Sequence, residues 1–353
     1  MGSCSDPEPI HLGFIGGLSD RNADIGPAAL KAVQLAVEQV NRTGGIQGRL
    51  VELVAKDDAQ RQEVAAQSAQ ELADLKVDAV IGPFTSSMAE VIVPILGQAG
   101  IFEVSPSISS LAFYGKDDNL FRINRTTRDN TRDYARVMTS RGQRRFAVAY
   151  DLRNRNFTES WLEEFRGAVA REGGSVVAAV PYESLESTNF ADVIARMLKA
   201  DPDSLFFLSS AVDVGRLAQE ARAQAPSLPI GASEWAATEQ LAKLGGSVVE
   251  GLLIIQNFNR RDTSPRFVEF VDAYRQHFER FPGYTAVMAY DAATVVLTAL
   301  KNRRPGEDLK SAALRSGPYQ GLQQEIVFDA NGDTQRKVAM TEIHDGEFVE
   351  VHP

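Results

Sequence analysis

Two Ser-rich segments hold the residues best suited to chemistry: Gly82-Pro83-Phe84-Thr85-Ser86-Ser87 and Val104-Ser105-Pro106-Ser107-Ile108-Ser109-Ser110. Each follows a short apolar run, Ala79 to Ile81 and Ile101 to Val104, that reads as a buried strand. In a parallel sheet both turns would lie at the carboxyl edge, where open α/β folds hold their ligands. Ser86 and Ser87 fall at or beside the N-cap of the next helix, so a hydroxyl and free N–H groups can converge on an anion. Two such turns one strand apart suggest a cradle for a carboxylate. Serine is also a common N-cap for structural reasons, and Ser-Pro-Ser is ordinary loop chemistry. The segments alone leave both readings open.

The elements that would position these turns alternate along the chain. Strands are expected at Ile10 to Ile15 and Leu50 to Ala55, with helices over Ile25 to Asn41, Glu63 to Leu75 and Met88 to Gln98. Leu30, Val33, Val37 and Val40 recur at helical spacing on the first of these. This is the β-α alternation of a doubly wound parallel sheet. After a crossover near Phe121 to Thr126 the same alternation returns. Strands are expected at Arg145 to Tyr150, Val176 to Val180, Ser204 to Leu208 and from Ile230. Helices are expected over Asn130 to Thr139, Glu159 to Ala170, Phe190 to Leu198, Val214 to Ala225 and, briefly, Leu241 to Leu244. A further strand, Leu252 to Gln256, precedes helices at Pro265 to Phe278, Thr285 to Leu300 and Leu309 to Leu314. The tail alternates instead as strands at Glu325 to Phe328 and Val338 to Ile343, with an Asp345-Gly346 hairpin turn into Phe348 to Val351. A sheet-completing tail after two α/β repeats implies several crossings between two lobes, and such crossings act as a hinge.

Composition narrows the function classes. With 353 residues the chain has room for two domains, and its 44% hydrophobic and 24% charged content is ordinary for a soluble protein. A net charge of −10 argues against a nucleic-acid partner. No apolar run approaches the roughly 20 residues of a membrane-spanning helix. Cys4 is the only cysteine, so no internal disulfide or cysteine metal cluster is expected. Met1-Gly2-Ser3 reads as an added start rather than a signal peptide. Cys4-Ser5-Asp6-Pro7-Glu8-Pro9 resembles the mature start of a bacterial lipoprotein, which makes a lipid anchor at Cys4 the only expected membrane contact; the alternative is an incidental cysteine in a polar tail.

Enzyme chemistry is not indicated. Gly13 to Gly17 lacks the Gly-x-Gly-x-x-Gly spacing of a dinucleotide site, and neither a phosphate loop nor a Gly-x-Ser-x-Gly elbow occurs. His11, His277, His344 and His352 form no zinc-type pair. Asp57-Asp58 could suggest a metal, but paired acids at a strand end are ordinarily solvated. No cofactor and no metal are expected.

The chain from about Ile10 to Val351 resembles the type I periplasmic binding proteins, in particular the leucine/isoleucine/valine-binding branch that serves ABC transporters. The resemblance is carried, in order, by Asn41-Arg-Thr-Gly-Gly-Ile-Gln-Gly, Asp57-Asp58-Ala59, Val80-Ile-Gly-Pro-Phe-Thr-Ser-Ser, Val104-Ser-Pro-Ser, Glu250-Gly-Leu-Leu and Tyr290-Asp-Ala-Ala. It implies two α/β lobes, 10–123 plus 255–325 and 124–254 plus 326–353, with residues 1–9 a flexible tail. It also implies a three-crossover hinge, ligand in the cleft, an extracytoplasmic location and a membrane permease as partner. By the same resemblance Ser86 and Ser109 hold a ligand carboxylate. Ser107 (through its carbonyl), Ser109 and Glu234 hold an ammonium. A zwitterion buried in a closed cleft needs both charges paired, although Glu234 is equally an acid favoured at a helix start. Where relatives place aromatics around the ligand side chain, this chain has Ile25, Ala211 and Phe157. The expected pocket is therefore apolar and roomier, lined by Trp235, with Asp213 near enough to reach a polar ligand group. An amino acid, aliphatic or aromatic, is the expected ligand. Relatives that take aromatic acids, urea or amides, and a receptor or regulator domain on the same fold, are the alternatives.

Overall fold

The first run of the chain builds β1 (Ile10–Gly16), α1 (Ile25–Arg42), β2 (Val51–Asp57), α2 (Gln62–Asp74), β3 (Ala79–Ile81), α3 (Ser86–Gln98), β4 (Phe102–Ser105) and β5 (Leu120–Arg122). These coordinates are a computed structural model, which describes residues 7–19 and 25–351. Cys4 and Met1-Gly2-Ser3 lie outside the described residues. The five strands form one parallel sheet in the order β2-β1-β3-β4-β5. Leu12, Phe14, Val80, Ile81 and Val104 are fully buried, as expected of strands covered on both faces. The chain leaves β1 towards β2 on one side and reaches β3 on the other. The crevice between the ends of β1 and β3 is thus this sheet's topological switch point.

The second run builds α4 (Thr127–Ser140), β6 (Arg145–Asp151), α5 (Arg155–Arg171), β7 (Ser175–Tyr182), α6 (Phe190–Leu198), β8 (Ser204–Leu208), α7 (Ala211–Gln224), β9 (Ile230–Ala232), α8 (Glu239–Gly245) and β10 (Leu253–Gln256). Then follow α9 (Pro265–Phe278), α10 (Tyr284–Asn302), α11 (Leu309–Ser316), β11 (Tyr319–Gln320), β12 (Glu325–Ile326), β13 (Ala339–His344) and β14 (Glu347–Glu350). The second sheet runs β14-β13-β10-β9-β8-β6-β7. Its strands are parallel except β13, which pairs antiparallel with β10 and β14. Its switch point lies between β6 and β8. Trp161 stacks on Phe206 at 4.6 Å between ring centres, with Tyr134 edge-on to Phe206 at 5.0 Å.

Two units result. The first takes the described residues up to Ile108, with Gly115–Asn124 and Arg261–Arg336; the second takes Ser109–Tyr114, Arg125–Arg260 and the chain from Lys337. Several details differ from the boundaries expected from sequence, the smallest being Asn124, which stays with the first unit. Residues 255–260 stay with the second unit, because β10 is held between β9 and β13. Residues 326–336 stay with the first: Arg122 N–H donates to the Gly332 carbonyl at 2.9 Å, and Phe328 packs on Phe121 at 4.8 Å. Ser109–Tyr114 groups with the second unit, where Leu111 N–H donates to Ser160 Oγ of α5 at 3.3 Å.

Buried ion pairs tie α10 to the chain that follows it, and that chain to β5. Arg336 donates to Asp291 Oδ2 at 2.7 Å, and Leu322 N–H donates to Asp291 Oδ1 at 2.8 Å. Arg122, fully buried, pairs with Asp118 and Asp333 and donates to the Asn331 carbonyl at 2.6 Å.

Candidate functional site

Each sheet ends in a row of buried polar side chains at its carboxyl edge. In the first unit the turn after β3 is shaped by Gly82. Its φ of +131° suits glycine, and a Cβ there would lie 2.3 Å from the Ile15 carbonyl oxygen. The helix start predicted at Ser86 or Ser87 forms one residue earlier than a serine cap requires. Thr85 is the N-cap, so Ser86 occupies the first helical position of α3, nearly fully buried. The free N–H groups of that first turn remain part of the edge. Ser107 is committed to the turn: its hydroxyl donates to the Phe84 carbonyl at 2.7 Å, and its carbonyl accepts from Asn124 Nδ2 at 3.0 Å. A carbonyl has two lone pairs, so the second remains for another donor. Ile25 opens α1 after β1 and is buried.

In the second unit Ser109 is buried, and its carbonyl accepts from Thr127 N–H at 2.9 Å. Its hydroxyl has no hydrogen-bond partner among the described residues. Glu234 follows β9 in a short 3-10 turn and is buried at 3% exposure. Trp161 Nε1 donates to its Oε2 at 3.2 Å, while Oε1 has no hydrogen-bond partner among the described residues. Burial pushes the Glu234 carboxyl above the usual carboxylate range; Asn130, Trp161 and the charge of Arg125 pull the other way. The edge backbone beneath it is braced by Tyr134, whose hydroxyl donates to the Ala232 carbonyl at 2.6 Å and accepts from Ile255 N–H at 2.7 Å.

Phe157 sits in the first turn of α5, edge-on to Trp235 at 5.9 Å, so these two expected pocket residues meet. Ala211 is the first residue of α7 and is buried, with Asp213 in the same turn. Asp213 Oδ2 lies 3.3 Å from the Tyr182 hydroxyl. Asp151 and Tyr182, at the ends of β6 and β7, belong to the same edge and were not anticipated. A strand ending in a polar residue after an apolar run was the available signal.

The deciding observation comes from comparison with known proteins. A family model described as periplasmic binding protein matches residues 9–347. The chain belongs to the periplasmic binding protein family. This binding protein is 22% identical over 332 residues to the Leu/Ile/Val-binding protein of Escherichia coli, covering 92% of this chain and 88% of that one. The branched-chain amino acid transporter substrate binding protein LivJ of Streptococcus pneumoniae, solved with isoleucine, superposes with a TM-score of 0.87 at 24% identity, over 96% of this chain and 97% of that one. An ABC transporter solute binding protein of R. palustris, solved with benzoate, superposes at 0.85 with 17% identity, over 97% and 95%.

Several motifs that carried the resemblance prove to be scaffold in this periplasmic binding protein. The Asn41 side chain pairs with both backbone groups of Val51, at 2.9 and 2.8 Å, locking the loop from α1 into β2. Asp57 and Asp58 are not a solvated acid pair. Asp58 is fully buried, and Asp57 accepts from Leu18 and Ala59 N–H, each at 2.8 Å. Burial raises the Asp57 carboxyl, but the Ser19 hydroxyl and these N–H groups outweigh it and hold the group below its ordinary range. His11, His277 and His344 each lie against a glutamate; His352 is outside the described residues.

Proposed function

We propose that this chain captures an α-amino acid outside the cytoplasm and delivers it to the permease of an ABC transporter. The observation that carries this reading is a pair of buried acceptors in the second unit, Ser109 Oγ and Glu234 Oε1, that have no hydrogen-bond partner among the described residues. A buried carboxylate oxygen without a donor is costly, and a ligand ammonium supplies the missing donors. Asn130, also fully buried, lies beside the same glutamate and helps hold its carboxylate. In this reading the first turn of α3 with Ser86, and the second turn with Ser109, take the ligand carboxylate. Ser107 carbonyl, Ser109 and Glu234 take its ammonium. Ligand shifts an equilibrium between conformations only by its preference for one of them. Ile25, Ala211, Phe157 and Trp235 offer apolar walls, which suit a side chain with an aliphatic or aromatic body. The bound isoleucine of the Streptococcus pneumoniae relative supports the amino-acid class. A lipid anchor at Cys4 would keep the protein at the membrane.

A thermal-shift screen on unfolded and refolded protein tests this reading. At about 100 times its dissociation constant a ligand adds roughly 2.7 kcal/mol of stability. A shift with L-amino acids is expected. The benzoate-bound relative motivates a second reading, an aromatic carboxylate ligand. A response confined to carboxylates without an amine would replace the first reading with the second.

A further inference from the structure

The carboxyl edge of the second sheet holds a polar cluster that the zwitterion reading leaves unused. β6 ends in Asp151 and β7 in Tyr182; β8 is followed by Ser209 and Ser210, and Asp213 stands in the first turn of α7. All five side chains are buried. They gather where β6 lies between β8 and β7, at the switch point of this sheet, the place where open α/β sheets receive ligands.

The hydrogen bonds separate the structural members from the rest. Asp151 Oδ1 accepts from Arg153 and Ser184 N–H at 3.0 and 3.2 Å, which ties down the loops after β6 and β7. The Tyr182 hydroxyl has one proton for two neighbours, Ser209 Oγ at 2.5 Å and Asp213 Oδ2 at 3.3 Å. Asp213 Oδ1 has no hydrogen-bond partner among the described residues, and neither does Ser210 Oγ at the N-cap of α7. A capping role would use one of these atoms, and neither is used.

Charge points the same way. Burial raises the Asp151 carboxyl to about 6, and the nearby Asp213 charge adds to the effect. Burial, then Asp213 and Asp151, push the Tyr182 hydroxyl well up. Of the cations nearby, Arg153 offsets Asp151 only weakly and reaches the Ser184 carbonyl, while Arg216 lies over the Phe190 ring. The cluster carries two acids, Asp151 and Asp213. Asp213 Oδ1 is an acceptor that no donor reaches among the described residues.

We propose that Asp213, with Tyr182 and Ser210, forms a second polar subsite that receives a hydrogen-bond donor at the tip of the ligand side chain, an ammonium or guanidinium being the best match. The subsite deepens the amino-acid reading and rests on it. Ala211, two residues before Asp213 in the first turn of α7, adds only a methyl group beside it.

The test is calorimetric titration of refolded protein with L-leucine, L-glutamine, L-lysine and L-arginine. Two amines without a carboxylate, agmatine and putrescine, are added as probes. The wild-type protein is compared with Asp213→Asn and Ser210→Ala. At least one donor-tipped amino acid is expected to bind about tenfold or more tightly than leucine. Asp213→Asn is expected to collapse that ratio about tenfold. Leucine binding as well as every donor-tipped ligand, or a ratio untouched in both variants, overturns the proposal. If no amino acid binds, the zwitterion reading fails separately. The amines then decide: Asp213-dependent binding sustains the subsite, and none overturns it. Should Asp213→Asn lose its fold by circular dichroism, Ser210→Ala and Tyr182→Phe carry the comparison.

Discussion

Glu103→Gln isolates the effect of one buried acid on the pH dependence of stability. Glu103 lies in β4, fully buried, and neither carboxyl oxygen has a hydrogen-bond partner among the described residues. Burial, and then the charge of Asp118, push its carboxyl well above the ordinary range. The folded protein therefore keeps this proton at pH values where the unfolded chain, with an ordinary glutamate near 4.3, has released it. Between the two values the native state binds more protons, so stability falls as pH rises. The contribution is complete below the unfolded value and lost progressively up to the folded one. Inside that window the slope is about 1.4 kcal/mol per pH unit. Glutamine keeps the shape and cannot ionise. Its amide adds a burial cost of about 1–3 kcal/mol if unsatisfied, but that cost does not vary with pH. Urea denaturation of ligand-free wild type and Glu103→Gln at several pH values gives the difference directly. Other titrating groups, Asp151 among them, are common to both proteins and cancel. The variant is expected to gain on wild type steadily as pH rises. Parallel stability curves from pH 5 to pH 7 would refute the buried, unpartnered state of Glu103.

Arg336→Ala strands the fully buried Asp291 carboxylate and should cost about 3–5 kcal/mol in urea denaturation, the range for breaking a buried pair from one side. Adding Asp291→Asn should restore part of that loss, and a single-variant cost below about 1 kcal/mol would contradict the pairing. Tyr134→Phe removes a hydroxyl that serves both the Ala232 carbonyl and Ile255 N–H. A loss of about 1–3 kcal/mol is expected from the two backbone groups left unpaired, with weaker ligand binding because Glu234 follows Ala232 so closely. Unchanged stability would show that the two backbone groups find other partners.

Much of the fold was legible because both sheets are covered on both faces. Ser204 to Leu208 is an unbroken buried run, and the helices at 190–198 and 265–278 begin and end where the sequence predicted. Boundaries set by polar residues were harder. α5 starts at Arg155, four residues before the expected Glu159, since Arg-Asn gives no apolar period to read. β5 spans three residues and was taken for part of the crossover, although Arg122 within it is buried by partners more than 200 positions away. That burial depends on tertiary pairing. β7 runs to Tyr182, two residues past the expected end, which hid the Asp151, Tyr182 and Asp213 cluster. The serine turns were visible as candidates, but sequence could not distinguish the committed Ser107 hydroxyl from the unpaired Ser109 hydroxyl. Glu103 was concealed for a related reason, as an acid inside a strand reads as a surface residue unless its neighbours are known.

The most direct test of the amino-acid reading is a cycle of two ligands and two proteins. The best L-amino acid from the thermal screen and its analogue lacking the amine are titrated into wild type and Glu234→Gln. Loss of a charged hydrogen-bonded pair at a buried site costs about 2–5 kcal/mol. The amino acid is therefore expected to bind the variant at least about 30-fold more weakly, with the amine-free analogue weak in wild type and little changed by the substitution. Equal affinity of the amino acid for both proteins, or tighter wild-type binding of the analogue, would contradict the role given to Glu234.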